Sequence, residues 1–319
     1  MADGRSILHH MAEQHVRHRV PKKYLVAGIV LALAGVFVYA ACYEPRYRGL
    51  ISISDRSLLF AHRGYGNHAP DNSIEGARMA MARGLDGVDV DAQMSRDGKI
   101  VIFHDVSLER FTTGEGRVDA HDLDALQQYD LADKFGEGFS GVYMRTLEDF
   151  VREVTPRAYL MVELKVASAS DTGIESRVHE ILEKYDAYER VYVSSFNPIV
   201  LYRLKQIDSR IRTVFIFMDS GWDPARIAAT KEEDRVSLPW YLQAEWTRKI
   251  IRKIIRPDAV SVNHTVDESV IDSLIAKGHP VFLWPVNEAA DIEWALEKKP
   301  YGLVTDEPPR AQTVQSARE

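Results

Sequence analysis

Short apolar runs alternate with helix-period stretches from residue 58 to residue 305, and this rhythm constrains the fold more than any other feature of the chain. Candidate strands fall at 58–61, 87–94, 99–104, 159–164, 191–196, 212–217, 259–262, 281–286 and 302–305. Helical patterns occupy 73–83, 146–154, 173–185, 198–206, 267–276 and 289–297. Asn72 and Ser73 stand where an N-cap is wanted, and Gly84 and Gly278 where helices stop. Such alternation predicts a parallel sheet covered on both faces. Eight strand–helix units in a chain of 319 residues fit a closed (β/α)8 barrel. A doubly wound open sheet has the same periodicity, and the pattern alone does not separate the two.

Residues 24–42, YLVAGIVLALAGVFVYAAC, carry no charge and have the length of a transmembrane helix. Arg5, Arg17, Arg19, Lys22 and Lys23 precede them, and Tyr39 and Tyr43 mark an interface. The positive-inside rule then predicts a single-pass membrane protein with a cytoplasmic basic tail at 1–23 and an exported remainder. A cleaved signal peptide is the alternative, since Ala40-Ala41 resembles a cleavage site. The span exceeds the usual apolar region of such a peptide, which favours a retained anchor. A lipoprotein signal at Cys42 is the weaker reading, because Tyr39 is bulky where such signals usually have a smaller apolar residue. The histidines His9, His10, His15 and His18 lie in the polar tail and read as solvated.

A link at 43–56, in which Pro45 discourages helix continuation, leads into a catalytic domain at 57–312 and a tail at 313–319. Two stretches break the rhythm. Residues 111–145 are long, polar and Gly-rich and read as an insertion, of the kind barrels carry at the catalytic mouth. The second, at 222–256, ends in a basic amphipathic stretch at 240–256. Drawn as a helix, it places Leu242, Trp246, Ile250, Ile251 and Ile254 on one side. Arg248, Lys249, Arg252, Lys253 and Arg256 fill the other. That face is expected to be solvated, or to rest on anionic lipid beside the anchor.

The net charge of −7 argues against a phosphate-neutralising nucleic-acid surface. Cys42 is the single cysteine, so one chain builds neither a disulfide framework nor a thiolate zinc site. The chemistry lies elsewhere. Asp89 and Asp91 are two apart in a candidate strand, so both face one side, where two carboxylates repel unless a cation lies between them. Glu163 ends another apolar run and would converge with them at a barrel mouth. All-oxygen ligation favours Mg²⁺ or Ca²⁺ over zinc. His62 ends the first strand and His104 the hairpin after the second, which makes them a candidate acid/base couple. Arg63 offers a planar fork for phosphate, and Gly64 and Gly66 let the backbone approach.

These residues sit within AHRGYGNHAPDNSIEGARMAMARGLDGVDVDAQMSRDGKIVIFHD, which resembles the signature of the glycerophosphodiester phosphodiesterase family. VELK, VSSFNP, VFLWPVN and GLVTDEP follow in the family's order, so the resemblance covers about residues 58–310. It implies a TIM barrel and a divalent-cation-dependent hydrolysis of glycerophosphodiesters to glycerol 3-phosphate and an alcohol. It assigns catalysis to His62 and His104, metal ligation to Asp89, Asp91 and Glu163, and phosphate contact to Arg63 and Lys165. Trp284 falls on an aromatic lining the alcohol side. Two positions depart from the family pattern. Asp89 stands where Glu is usual, and Pro70-Asp71-Asn72-Ser73 stands for PENT, each shortening a carboxylate by one methylene. Alternatives are a lysophospholipase D-like hydrolase of membrane lysolipids, a cyclising phospholipase C-type enzyme, and a non-catalytic barrel that binds phosphodiesters.

Overall fold

The computed structural model describes residues 21–43, 46–47, 49–52, 55–132, 135–136, 138–170, 172–219 and 240–318. The tail histidines His9, His10, His15 and His18, the arginines Arg5, Arg17 and Arg19, Pro45 and residues 222–239 lie outside the described residues. The chain divides into two units, Met1–Tyr43 and Glu44–Glu319.

In the first unit, helix α1 (Lys22–Cys42) follows Pro21 and is apolar on every side. Each of its described side chains is exposed. At ~1.5 Å per residue the helix is about as long as a hydrocarbon core is thick. Residues Lys22–Tyr39 have a mean hydropathy of 1.6, enough to cross a membrane by length and composition.

The second unit is a closed barrel. Strands β1 (Leu58–Ala61), β2 (Gly87–Met94), β4 (Tyr159–Leu164), β5 (Val191–Ser195), β6 (Arg212–Phe217), β7 (Ala259–Asn263), β8 (Val281–Trp284) and β9 (Gly302–Thr305) pair in parallel. Pairing of β1 with both β9 and β2 closes the ring, which decides for the barrel over the open sheet. Strand β3 (Ile100–Ile102) forms an antiparallel hairpin with β2. Outward residues such as Val88, Val90, Leu160, Val162 and Val193 pack under the surrounding helices in one contiguous core. These helices include α2 (Ile74–Ala82), short α3 (Leu123–Leu126), α4 (Leu147–Val154), α5 (Ile174–Lys184) and α6 (Pro198–Ile207). Beyond them come α7 (Trp240–Gln243), α8 (Glu245–Ile255), α9 (Glu268–Ala276), α10 (Ala289–Glu297) and α11 (Pro308–Ser316). Their starts follow local chemistry: Ser73 accepts from Gly76 N at 3.0 Å, and Thr146 and Asp149 form a reciprocal capping box.

The barrel interior is filled at its N-terminal end by Phe60, Met161, Tyr192, Phe282 and Tyr301. Glycine at two strand positions makes room for the rings. A Cβ at Gly87 would lie 2.2 Å from Phe60, and one at Gly302 would lie 2.7 Å from Phe282. Tyr47 and Ile51 close this floor: Ile51 N donates to Tyr47 Oη at 2.9 Å, and Tyr47 N to Lys277 O at 3.1 Å.

At three stretches the structure adds to the sequence pattern. The Gly-rich insertion has a small core: Val118, Leu126, Leu131, Val142 and Met144 pack with Leu108 against Val101 and Phe103. The tail expected at 313–319 is mostly helix: α11 runs to Ser316, and Gln315 Nε2 donates to Ser57 O at 2.8 Å. The basic face of α8 is solvated only in part: Arg256 is exposed and Lys249 and Lys253 are half-buried, but two of its arginines are not in water. Arg248 is 1% exposed and Arg252 4%, whereas Trp246 is 42% and Ile254 62% exposed. Arg248 turns inward because oxygens await it there. Its Nε donates to Leu242 O at 2.7 Å, and its Nη2 to Met218 O at 2.6 Å and Asp219 Oδ1 at 2.7 Å. Arg252 Nη2 meets Glu245 Oε1 at 2.6 Å. A buried guanidinium is tolerated when its donors are satisfied in this way.

Candidate active site

The C-terminal ends of the strands gather the sequence-derived residues around one cavity of about 380 Å³. His62 follows β1 and Asp306 follows β9, and the Ala61↔Thr305 register places them side by side. Asp306 Oδ1 lies 2.6 Å from His62 Nδ1. Asn287 fixes that carboxylate, donating to Asp306 Oδ2 at 2.8 Å and accepting from Asp306 N at 2.8 Å. The other ring nitrogen, Nε2, lies 3.9 Å from Asp89 Oδ2. His104 has a matching arrangement: its Nδ1 is 2.5 Å from Asp105 Oδ1. Gln93 Nε2 holds the intervening turn by donating to Phe103 O at 2.9 Å and Asp105 O at 2.7 Å. A carboxylate on Nδ1 fixes the tautomer and leaves Nε2 for a reacting group.

Arg63 takes the left-handed region (φ 51) and pairs with Asp71 Oδ2 at 3.0 Å and Asp91 Oδ2 at 3.6 Å. Asn72, also left-handed at φ 59, donates to Asp91 Oδ2 at 3.0 Å and accepts from Asp91 N at 2.9 Å. A left-handed non-glycine residue costs strain of order ~1–3 kcal/mol, and it persists where the surroundings over-determine it. Here two such residues tie the β1 loop to β2. Asp91 and Glu163 are register partners across β2 and β4, and Lys165 Nζ bridges them at 3.0 and 2.8 Å.

The electrostatics follow from burial and charge. Burial opposes the charged form of His62, but the Asp306 carboxylate overcomes it and holds the imidazole above its usual range. Burial, with Arg63 and Lys165 nearby, holds His104 well below that range. Asp89 is pushed up to about 8 by burial, with Asp91 and Glu163 adding to the rise and His62 opposing it. Burial also raises Glu163, while Lys165, His104 and Arg63 outweigh it at Asp91 and keep that carboxyl low.

Among the described residues, no three acidic or imidazole side chains already form a cluster that could hold a metal ion. The donor set nevertheless fits a hard divalent cation in kind. Asp89 and Glu163 put carboxylate oxygens into the cavity from β2 and β4, and Asp91 lies just behind them on β2, beside Glu163 in register.

Trp284 ends β8 and packs edge-on against Phe196, with ring centroids 5.8 Å apart. Its Nε1–H is buried and has no hydrogen-bond partner among the described residues. All eight candidate residues thus come to one end of the barrel, and seven of them line the cavity itself. Asp91 lies just behind it, bound to Asn72, Arg63 and Lys165. The sequence pattern gives Asp306, Asn287 and Gln93 no role in the site, and Asn72 only that of an N-cap candidate. Asp306 carried a usable signal, because it follows the last strand as His62 follows the first, and closure makes those strands neighbours.

The glycerophosphoryl diester phosphodiesterase family model matches residues 62–310. The chain belongs to this family. It is a phosphoric diester hydrolase by that membership. The glycerophosphodiester phosphodiesterase of Caldanaerobacter subterraneus is 27% identical over 254 residues, covering 79% of this chain and 95% of that protein. Glycerophosphodiester phosphodiesterase 1 of Bos taurus is 26% identical over 283 residues, covering 82% of each. A phosphodiesterase from Oleispira antarctica, solved in complex with sn-glycerol-3-phosphate as product, superposes with a TM-score of 0.67. It is 20% identical, and the match covers 82% of this chain and 97% of that one, which supports the shared fold.

Proposed function

We propose that the protein hydrolyses glycerophosphodiesters to glycerol 3-phosphate and an alcohol by paired-histidine catalysis assisted by a divalent cation, Mg²⁺ or Ca²⁺. The observation that carries this reading is the pair of imidazoles, His62 and His104, each held through Nδ1 by its own carboxylate. One removes a proton from the attacking oxygen and the other donates a proton to the leaving alkoxide. Arg63 and Lys165 lie where a phosphate entering the cavity would meet their charge, with Asp71, Asp91 and Glu163 fixing their positions. Trp284 offers its indole N–H to a substrate oxygen on the alcohol side. Asp89, Asp91 and Glu163 would hold the cation, and its charge would offset the charge that builds on phosphate oxygens. The shorter carboxylate of Asp89 is compatible with that role, since it still lines the cavity on β2 next to the β4 strand that carries Glu163.

The catalytic domain is placed at 57–312. Helix α1 would anchor it as a single span, with the basic residues before it in the cytoplasm and the barrel exported. Its apolar length supports the anchor. The test is hydrolysis of a panel of glycerophosphodiesters by the full chain, stripped of cations and then supplied with Mg²⁺ or Ca²⁺. Cation-dependent release of glycerol 3-phosphate is expected. Phosphodiester binding without turnover under either cation would replace this reading with a non-catalytic barrel.

A further inference from the structure

Helices α6 and α8 pack side by side on the flank of the barrel, and neither contributes a residue to the lining of the mouth cavity. Of the nine large apolar side chains exposed on the described residues of the barrel unit, five belong to these two helices. They are Ile199, Tyr202 and Ile207 on α6, with Trp246 and Ile254 on α8. The inward turn of Arg248 and Arg252 is what puts the last two there. Those guanidiniums are committed to Leu242 O, Met218 O, Asp219 and Glu245. The opposite side of α8 is then Trp246, Ile250 and Ile254, spaced four apart, with Lys249 and Lys253 beside them.

Exposed apolar side chains gathered in this way mark a surface that meets another protein or a membrane, and composition decides between them here. The cores of protein–protein interfaces are depleted of lysine, whereas two lysines flank this apolar row. Helices that lie on membranes combine tryptophan and aliphatic side chains with lysine and arginine, whose stems cover apolar surface while their charges reach phosphate. Charge points the same way. Residues 245–256 hold five cations and a single acid in a chain of net charge −7. That acid, Glu245, is engaged by Arg252 at 2.6 Å, and α6 carries no acidic residue.

We propose that the flank formed by α6 and α8 rests on a bilayer surface rich in anionic phospholipid. Ile199, Tyr202, Trp246, Ile250 and Ile254 enter the head-group boundary, and Lys249, Lys253 and Arg256 meet lipid phosphates. The sequence pattern offers all five cations of this stretch to lipid. Burial withdraws Arg248 and Arg252 from that contact, and packing adds the apolar face of α6 to it. Each lysine or arginine close to an anionic surface favours the surface-bound state by about fivefold. The contact is independent of the reaction at the mouth.

The experiment reconstitutes the full chain into vesicles of phosphatidylcholine alone and of phosphatidylcholine mixed with phosphatidylglycerol. Each is made with and without chain-brominated phosphatidylcholine, which quenches any tryptophan that reaches the bilayer. Quenching is expected to be about twofold or more greater in the anionic vesicles, and the excess to disappear in Trp246→Phe. The double change Lys249→Glu, Lys253→Glu is expected to lower the ratio of surface-bound to unbound barrel on the order of tenfold. Raising the salt on the unaltered chain, which changes no side chain, should lower it as well. Equal quenching in the two kinds of vesicle overturns the proposal. So does an excess that survives Trp246→Phe, or one indifferent to both charge reversal and salt. A dimer that Ile254→Glu dissolves, with no excess in anionic vesicles, also overturns it and assigns the flank to a second copy of the chain.

Discussion

The two ends of the barrel are built by the same strands and treat buried polar groups in opposite ways. At the floor, Asp258 accepts from Thr213 N at 2.8 Å and pairs with Lys205 Nζ at 2.5 Å. Above it Tyr192 and Tyr301 exchange a hydroxyl hydrogen bond at 2.8 Å. Phe60 and Phe282 meet edge to face at 5.3 Å, with Phe282 and Tyr301 at 5.2 Å. At the mouth, four acidic groups, two imidazoles, two arginines and a lysine share one cavity, and Asp89 is raised to about 8 with its nearest basic partner 3.9 Å away. The floor is internally satisfied, so it serves stability. The mouth keeps charge that only a ligand or a cation would complete, so it serves chemistry at the expense of stability.

Substitutions separate the two ends. The largest effect on stability is expected at the floor. Phe282→Ala empties the ring stack and should cost about 3–5 kcal/mol of unfolding free energy, read by denaturant titration. The kcat of the folded fraction should remain near wild type. If turnover fell while stability held, the floor would belong to the chemistry after all. Asp306→Asn comes next. It keeps the shape of the mouth but removes the charge that lifts His62, and a loss on the order of 10²-fold in kcat is expected, with little change in melting temperature. Because the carboxylate raises His62, its removal should move the kinetic pKa assigned to that histidine downward in the pH–rate profile. A profile that does not move would detach Asp306 from His62. The smallest change is expected for Tyr301→Phe, which deletes one floor hydrogen bond. About 1 kcal/mol of stability and no activity should be lost.

The fold was largely legible in the sequence where local pattern decides structure. The boundaries of β1, β2, β4, β6 and β9 match their apolar runs to the residue, and β3 and β8 end earlier than their patterns because the chain turns into the site. Both histidines and the carboxylate trio were legible because each ends or lies in such a run. What escaped depends on contacts between residues far apart in sequence. Asp306 acquires its role only when closure brings β9 beside β1. Arg248 looked solvated because charges on an amphipathic helix usually face water. The carbonyls of Met218 and Leu242 and the carboxylate of Asp219, from just after β6 and from α7, reverse that preference. The small core of the insertion was not legible because its apolar residues are spaced without period.

The most direct test of the division between floor and mouth is the double variant His62→Ala, His104→Ala, assayed on a glycerophosphodiester with saturating cation and unfolded in parallel. The expected result is a kcat reduced by at least about 10²-fold with an unfolding free energy close to wild type. Turnover near wild type in a folded double variant would contradict the account.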